Sequence, residues 1–301
     1  MRKIQLVILS AFVISGLAAC SKESVDPSSE AYDRNDAEIK TYASKNNLAG
    51  TLTASGLYYV ITNPNPAGKL ATIGEELEFS YKATNLEGQL VDSSAAASPV
   101  FYPLGIGSVF PGLEQGLSLM REGEKAILLI PSYLAYNSDA KTNLPAYSVV
   151  RFDVALKRSR TEEQQINEYV ADYLTKNKLI LTETTASGVR FIRTSPPLSV
   201  TAAAAPPAAG QTLTIRYLGK QLRAATAFDS TGSGTFDAVL GQGKYVKGFE
   251  EGLSKLKVGE KATIIFPSSL GYGKQGVVNS NRYVITPYAP LRFDLEVLSA
   301  K

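Results

Sequence analysis

The chain reads as an α+β protein built twice over, and three observations lead there. Residues 105–136 recur at 241–272, a shift of 136 positions with 15 of 32 residues identical. Apolar and polar residues alternate over several short runs, as in Leu291, Phe293, Leu295 and Val297 against Arg292, Asp294 and Glu296, the period of a half-buried strand. Each copy holds one short helical pattern among its strands: Leu113, Leu117 and Met120, or Phe249, Leu253 and Leu256, at i, i+4 and i+7. A period this long marks a duplicated domain, because solenoid units run to roughly 20–50 residues. One short helix among alternating strands describes an antiparallel sheet that buries its inner face against that helix.

Composition sets the limits. With 301 residues, 44% of them hydrophobic and 20% charged, the chain is long enough for two domains with separate cores, expected at 30–160 and 161–301. The formal charge is +3, and removing Arg2 and Lys3 leaves 29 basic against 28 acidic residues. That balance gives no footprint for nucleic acid. With no histidine and a single cysteine, Ser-His-Asp and Cys-His nucleophiles are excluded, as are histidine-containing metal sites. No metal and no cofactor are expected.

At the start of the chain, Arg2 and Lys3 precede an apolar run over residues 4–19 that ends in Leu17, Ala18, Ala19 and Cys20. The run falls short of the roughly 20 residues of a spanning helix and has the three-part form of a secretory signal. It resembles a bacterial lipoprotein signal, which implies cleavage of 1–19 and lipid on Cys20. The alternatives are an uncleaved anchor and an ordinary signal with a chance cysteine. Residues 20–29, polar and containing Pro27, are expected as a flexible tether. The chain would then sit in the cell envelope, anchored to a bacterial membrane, expected to be the outer one on its periplasmic or surface side.

After the tether, each copy begins with a helical pattern. Thr161 with Gln164 resembles a capping box, followed by Ile166, Tyr169, Val170, Tyr173 and Leu174 at helical spacing. The first copy is fainter, its stripe formed by Tyr32, Ile39, Tyr42 and Ala43. Such a stripe packs on its own domain or serves as a dimer contact. Extended runs follow at 58–62 and 189–194, the second leading into a Pro- and Ala-rich surface excursion over 195–210. Period-two strands are expected at 74–81 and 210–217, at 126–130 and 262–266, and at 150–156 and 291–298, the last pair with one face in water.

Taken in order, Tyr217, Phe228-Asp229-Ser230, Leu240-Gly241, Val246-Lys247-Gly248-Phe249-Glu250, Gly259-Glu260-Lys261, residues 267–273, Ile285 and Leu291-Arg292-Phe293-Asp294 resemble an FKBP-type peptidyl-prolyl cis-trans isomerase. The first copy is similar but divergent, and the resemblance covers roughly 74–157 and 210–298. It implies two FKBP-like domains, and in domain 2 a pocket walled by Tyr217, Phe228, Phe236, Val246, Ile285 and Phe293 over a floor at Phe249. It further implies Asp229 as the site's carboxylate, Tyr272 as hydroxyl donor and the Val246 N–H as second donor. Without the resemblance these rings would be plain core aromatics and Asp229 a turn residue. The glycines at 248, 252 and 259 are turn and close-packing positions on either reading.

The corresponding positions in domain 1 are Tyr81, Val91, Asp92, Val100, Phe110, Leu113, Tyr136, Leu144 and Phe152. Val91, Val100 and Leu113 stand where domain 2 has rings, so this second site is expected to be weak or vestigial, with a shallower or differently shaped cavity. Domain 2 carries a longer loop over 275–283 beside Tyr272, and Thr286 where the family usually has proline. The resemblance implies an isomerase acting on proline-containing, unfolded or partly folded exported polypeptides, mainly through domain 2. The competing expectation is a lipid-anchored, chaperone-type binding module.

Overall fold

A computed structural model of the chain describes residues 27–94, 98–195 and 206–301. Cys20 and the apolar run expected as a leader lie outside the described residues, as does most of the Pro- and Ala-rich excursion. Among the described residues no helix is long and apolar enough to cross a membrane.

Domain 1 runs α1 (Pro27–Lys45), β1 (Thr51–Leu52), β2 (Tyr58–Asn63), β3 (Glu76–Thr84), β4 (Leu90–Ser93), β5 (Val100–Pro103), α2 (Pro111–Ser118), β6 (Lys125–Ile130) and β7 (Val150–Arg160). Domain 2 repeats it as α3 (Glu162–Asn177), β8 (Glu183–Thr184), β9 (Arg190–Arg193), β10 (Thr212–Gln221), β11 (Asp229–Ser230), β12 (Phe236–Val239), α4 (Lys247–Ser254) and β13 (Lys261–Phe266). A hairpin, β14 (Val277–Asn279) with β15 (Arg282–Ile285), then precedes β16 (Leu291–Ala300). The helix α1 begins at Pro27, inside the span expected as a tether.

The two sheets share one strand order. The first is β1-β2-β6-β7-β3-β4 with β5 also on β3, and the second is β8-β9-β13-β16-β10-β11 with β12 also on β10. The same irregularity recurs between Glu78 and Phe79 and between Thr214 and Ile215. The extra residue is Lys157 of β7 in the first sheet and Leu298 of β16 in the second, and it bends its strand at the same place in both domains.

Those helices sit against the sheet because glycine lets them. A Cβ on Gly112 or Gly116 would lie 2.3 Å from Ile130 or Leu128, and one on Gly248 or Gly252 would lie 2.4 or 2.5 Å from Phe266 or Ile264. Leu113, Leu117 and Met120 thereby enter the domain 1 core with Phe79, Leu128 and Phe152. Phe249, Leu253 and Leu256 do the same in domain 2 with Ile264, Phe293 and Leu295.

The opposite face of each sheet carries the N-terminal helix. Ile39 and Ala43 of α1 pack on Ile127 and Leu129, and Ile166 and Val170 of α3 pack on Ile192 and Ile265. The expected capping box is present: Gln164 N–H donates to Thr161 Oγ1 at 3.2 Å and Thr161 N–H to Gln164 Oε1 at 2.9 Å. This packing corrects one expectation. The outer face of β16 is not simply wet, because Arg292 donates to Tyr169 Oη at 2.8 Å and lies 4.5 Å over the Tyr173 ring. Alternation marks which residues face outward and says nothing of a helix laid over them.

Candidate active site

The concave end of the domain 2 sheet gathers the predicted residues around one aromatic box. Tyr217 stands on β10, Phe293 on β16, Phe249 on α4 and Phe236 on β12. Ring centroids lie 5.0 Å apart for Phe249 and Phe293, 5.6 Å for Tyr217 and Phe249, 5.6 Å for Phe228 and Phe293, and 5.9 Å for Tyr217 and Phe236. Most of these pairs meet edge to face, the geometry aromatic quadrupoles favour. Ile285 is buried in the same cluster, and Val246 packs against it. Phe249 at 5% exposure makes the floor, while Phe236 at 37% and Tyr272 at 38% stand at the rim.

The polar groups are few. Tyr217 Oη donates to Asp229 Oδ2 at 2.7 Å, an arrangement that β10–β11 pairing fixes by setting Gly219 opposite Asp229. Burial, and after it that hydrogen bond, push the Tyr217 hydroxyl up to about 12. Tyr272 is likewise raised by burial and by the charge of Asp229, so one carboxylate acts on both tyrosines and both stay protonated near neutrality. Val246 precedes α4 as its N-cap, and its N–H has no acceptor among the described residues. Both donors that the resemblance implies, the Tyr272 hydroxyl and this N–H, are available to a ligand.

Sequence reasoning missed three contributors. Tyr245 adds a sixth ring, 5.9 Å from Phe236 and 5.8 Å from Phe249; its signal was the contrast with Val109 in the first copy. Glu250 Oε1 accepts from the Gly241 N–H at 2.5 Å, as Glu114 Oε1 accepts from Gly105 at 2.8 Å, which ties the loop before each short helix to the helix itself. Glu162 of α3 accepts from the Ser268 N–H at 2.6 Å and from Ser268 Oγ at 2.7 Å. Ser268 opens the 3-10 turn that leads to Tyr272, so the N-terminal helix steadies the loop bearing the hydroxyl donor.

In domain 1 the same frame holds a different lining. Tyr81 Oη donates to Asp92 Oδ2 at 2.7 Å, and burial with that bond raises the tyrosine above its ordinary value. Tyr81 and Phe152 lie 5.4 Å apart. Val91 is half-buried against the core and Leu144 fully buried within it. A cavity of about 440 Å³ opens between Phe79, Tyr81, Asp92, Val100, Phe110, Leu113 and Phe152. Four rings of domain 2 are absent, at Val91, Val100, Val109 and Leu113, but Phe110, at the position of Val246, returns one. Its centroid lies 4.4 Å from that of Tyr136, and Lys141 Nζ lies 5.7 Å from the centre of the same Tyr136 ring. The hydroxyl-bearing ring of domain 1 is therefore partly covered where that of domain 2 is exposed.

Comparison with known proteins follows this duplication. The model of the FKBP-type peptidyl-prolyl cis-trans isomerase family matches residues 68–157 and 203–298. Peptidyl-prolyl cis-trans isomerase FKBP9 of Homo sapiens is 30% identical over 244 residues, 78% of this chain and 36% of that protein. Peptidyl-prolyl cis-trans isomerase FPR2 of Saccharomyces cerevisiae is 38% identical over 94 residues, 31% of this chain and 67% of that protein. Among solved structures, FkpA from Escherichia coli is 27% identical with a TM-score of 0.37, covering 44% of this chain and 62% of that one. The chain thus spans about a third of the length of the FKBP9 relative and carries the family's domain twice: it belongs to the FKBP-type peptidyl-prolyl cis-trans isomerase family.

Proposed function

We propose that the chain is a peptidyl-prolyl cis-trans isomerase that works mainly through domain 2 on proline-containing segments of exported polypeptides. The observation that carries this reading is the box around Phe249 and Phe293, with the Tyr217–Asp229 bond at its side and two free donors at its mouth. Amide resonance holds a prolyl bond planar with a barrier of ~18–20 kcal/mol, and no bond need break to cross it. Resonance places partial charge on the carbonyl oxygen and the nitrogen, which water stabilises. An apolar box that takes the proline ring strips that water and disfavours the planar form relative to the twisted one. The Tyr272 hydroxyl and the Val246 N–H then favour the twisted geometry where they bond it better than the planar one. Asp229 acts through Tyr217, holding that ring against the box, and takes no proton in the reaction.

Domain 1 is read as a weaker or accessory site. Val91, Val100, Val109 and Leu113 in place of rings support that reading, while an apolar cavity remains. Lipid on Cys20 and placement in a bacterial envelope are retained from the sequence, and Cys20→Ala in the producing cell should release the chain from the membrane fraction. A dimer through α1 or α3 would have to use their outer faces, since the apolar stripes are buried on their own sheets.

A protease-free isomerisation assay on a short Xaa-Pro peptide tests the function. The full chain should exceed the uncatalysed rate. Tyr272→Phe and Asp229→Val should each lower kcat/KM roughly tenfold, the effect of ~1.36 kcal/mol lost from the transition state, while Tyr136→Phe should change it little. A full chain working at the uncatalysed rate defeats the isomerase reading, and a large loss from Tyr136→Phe reverses the ranking of the two domains.

A further inference from the structure

Two segments of domain 2 each carry a pocket wall at one point and a contact with domain 1 at another. The loop after β10 contains Arg223 and ends in Phe228, and β15 ends in Ile285 and leads into a run that contains Tyr288. Arg223 Nε donates to both carboxylate oxygens of Glu76, at 3.2 and 3.0 Å, and its guanidinium lies 4.1 Å over the ring of Phe101. The Tyr288 ring lies against Gly74, where a Cβ would come within 2.9 Å of it.

Gln221 ties the two segments together. Its Oε1 accepts from the Thr286 N–H at 3.0 Å and from Thr286 Oγ1 at 2.8 Å, and its Nε2 donates to the Val284 carbonyl at 3.2 Å. A proline at 286, the residue that stands at 145 in domain 1, would supply neither donor. On the other side, Glu76 is itself buried and is held by Arg160, which also donates to Glu168 of α3 at 2.7 Å. A hollow of about 220 Å³ lies between these contacts. The junction is thus made of a few discrete contacts rather than continuous packing, and losing one leaves room to move.

We propose that Arg223 is a positioning residue for the domain 2 pocket: gripped by Glu76 and Phe101 of domain 1, it holds in place the segments that bear Phe228 and Ile285. Domain 1 then shapes the pocket of domain 2 whatever its own cavity does. The proposal rests on domain 2 being the isomerase site. Loosened walls must be ordered again on binding, a cost borne alike by the ground and transition states, so KM rises and kcat holds. A role in global stability alone would reduce the active fraction and with it the apparent kcat, leaving KM unchanged.

The test uses the full chain with Arg223→Ala, Arg223→Lys, Glu76→Gln and the Glu76→Gln/Arg223→Ala pair. Amide hydrogen exchange is followed over residues 221–228 and 284–290, and kcat and KM are measured on a short Xaa-Pro peptide. With Arg223→Ala, exchange should quicken several-fold in both segments and not in β9 or β13. KM should rise roughly three- to fivefold, about 0.7–1 kcal/mol at ~1.36 kcal/mol per tenfold. Lysine keeps the charge without the planar fork or stacking face, so Arg223→Lys should recover only part of the loss. In the pair, Arg223→Ala should add little to Glu76→Gln, as expected of residues acting through one contact. Unchanged exchange in the two segments, or an unchanged KM in an active enzyme, overturns the proposal. A wild-type chain at the uncatalysed rate defeats the isomerase reading instead, and the exchange data then decide the role of Arg223 alone.

Discussion

Tyr217 shows how much one side chain is asked to do. Its ring walls the pocket, its hydroxyl donates to Asp229, and burial followed by that bond pushes it up to about 12 from an ordinary value near 10. The sign of the linked stability follows from the direction. Below about pH 10 the hydroxyl is protonated in both folded and unfolded chains, and its contribution is fully present. Between about 10 and 12 the unfolded chain gives up the proton first, so folding stability falls as pH rises through that window. Urea unfolding at a series of alkaline pH values should therefore show the wild type losing stability relative to Tyr217→Phe above about pH 10. Parallel curves would mean that Tyr217 does not make the bond described with Asp229. Near neutrality neither tyrosine titrates and the chain has no histidine, so activity should be flat there.

At the scale of elements, the contact between short helix and sheet decides whether the pocket has a floor. Gly248 and Gly252 let α4 approach until a Cβ at 248 would stand 2.4 Å from Phe266. Phe266 stacks on Phe293 at 5.8 Å, so pressure on one ring reaches the other. Gly248→Ala should cost ~1–3 kcal/mol of stability through overpacking, as inserted methyl groups in full cores do. Its denaturation midpoint and its peptide activity should fall together; a neutral midpoint would show that α4 sits further from the sheet. The long strands and this helix are legible in sequence because alternation over β7 and β16, and an i, i+4, i+7 stripe, leave a period to read. The strands β1, β4, β8 and β11, of two to four residues, are too short to show one. Glu162 bonding Ser268 joins residues 106 apart, and no local spacing announces such a pair. The walls and floor of the site could be assigned through the resemblance, whereas Tyr245 and Phe110 could not be weighed until their neighbours were known. A ring's value depends on what it faces.

Over the whole molecule, two sites of unequal character stand on one chain. Domain 2 sets the Tyr272 ring, 38% exposed, beside a full box of rings, while domain 1 keeps a cavity of about 440 Å³ and packs Phe110 against the ring of Tyr136. A short peptide can occupy only one of them. On the proposed function, a long unfolded client would rest an apolar segment in domain 1 while a prolyl bond visits domain 2, and the second contact would then be intramolecular. Linked sites of this kind raise apparent affinity by about 10²–10⁴-fold when the spacing suits, without any new contact; a weak first site gives less. Phe110→Asp places a charge at the mouth of the domain 1 cavity without touching the domain 2 box. Activity on a short Xaa-Pro peptide should stay at the wild-type value. Catalysed refolding of a protein client limited by prolyl isomerisation should slow roughly five- to tenfold, a loss of order 1 kcal/mol. Equal effects on peptide and protein would show that domain 1 contributes no client binding and serves domain 2 only across the junction.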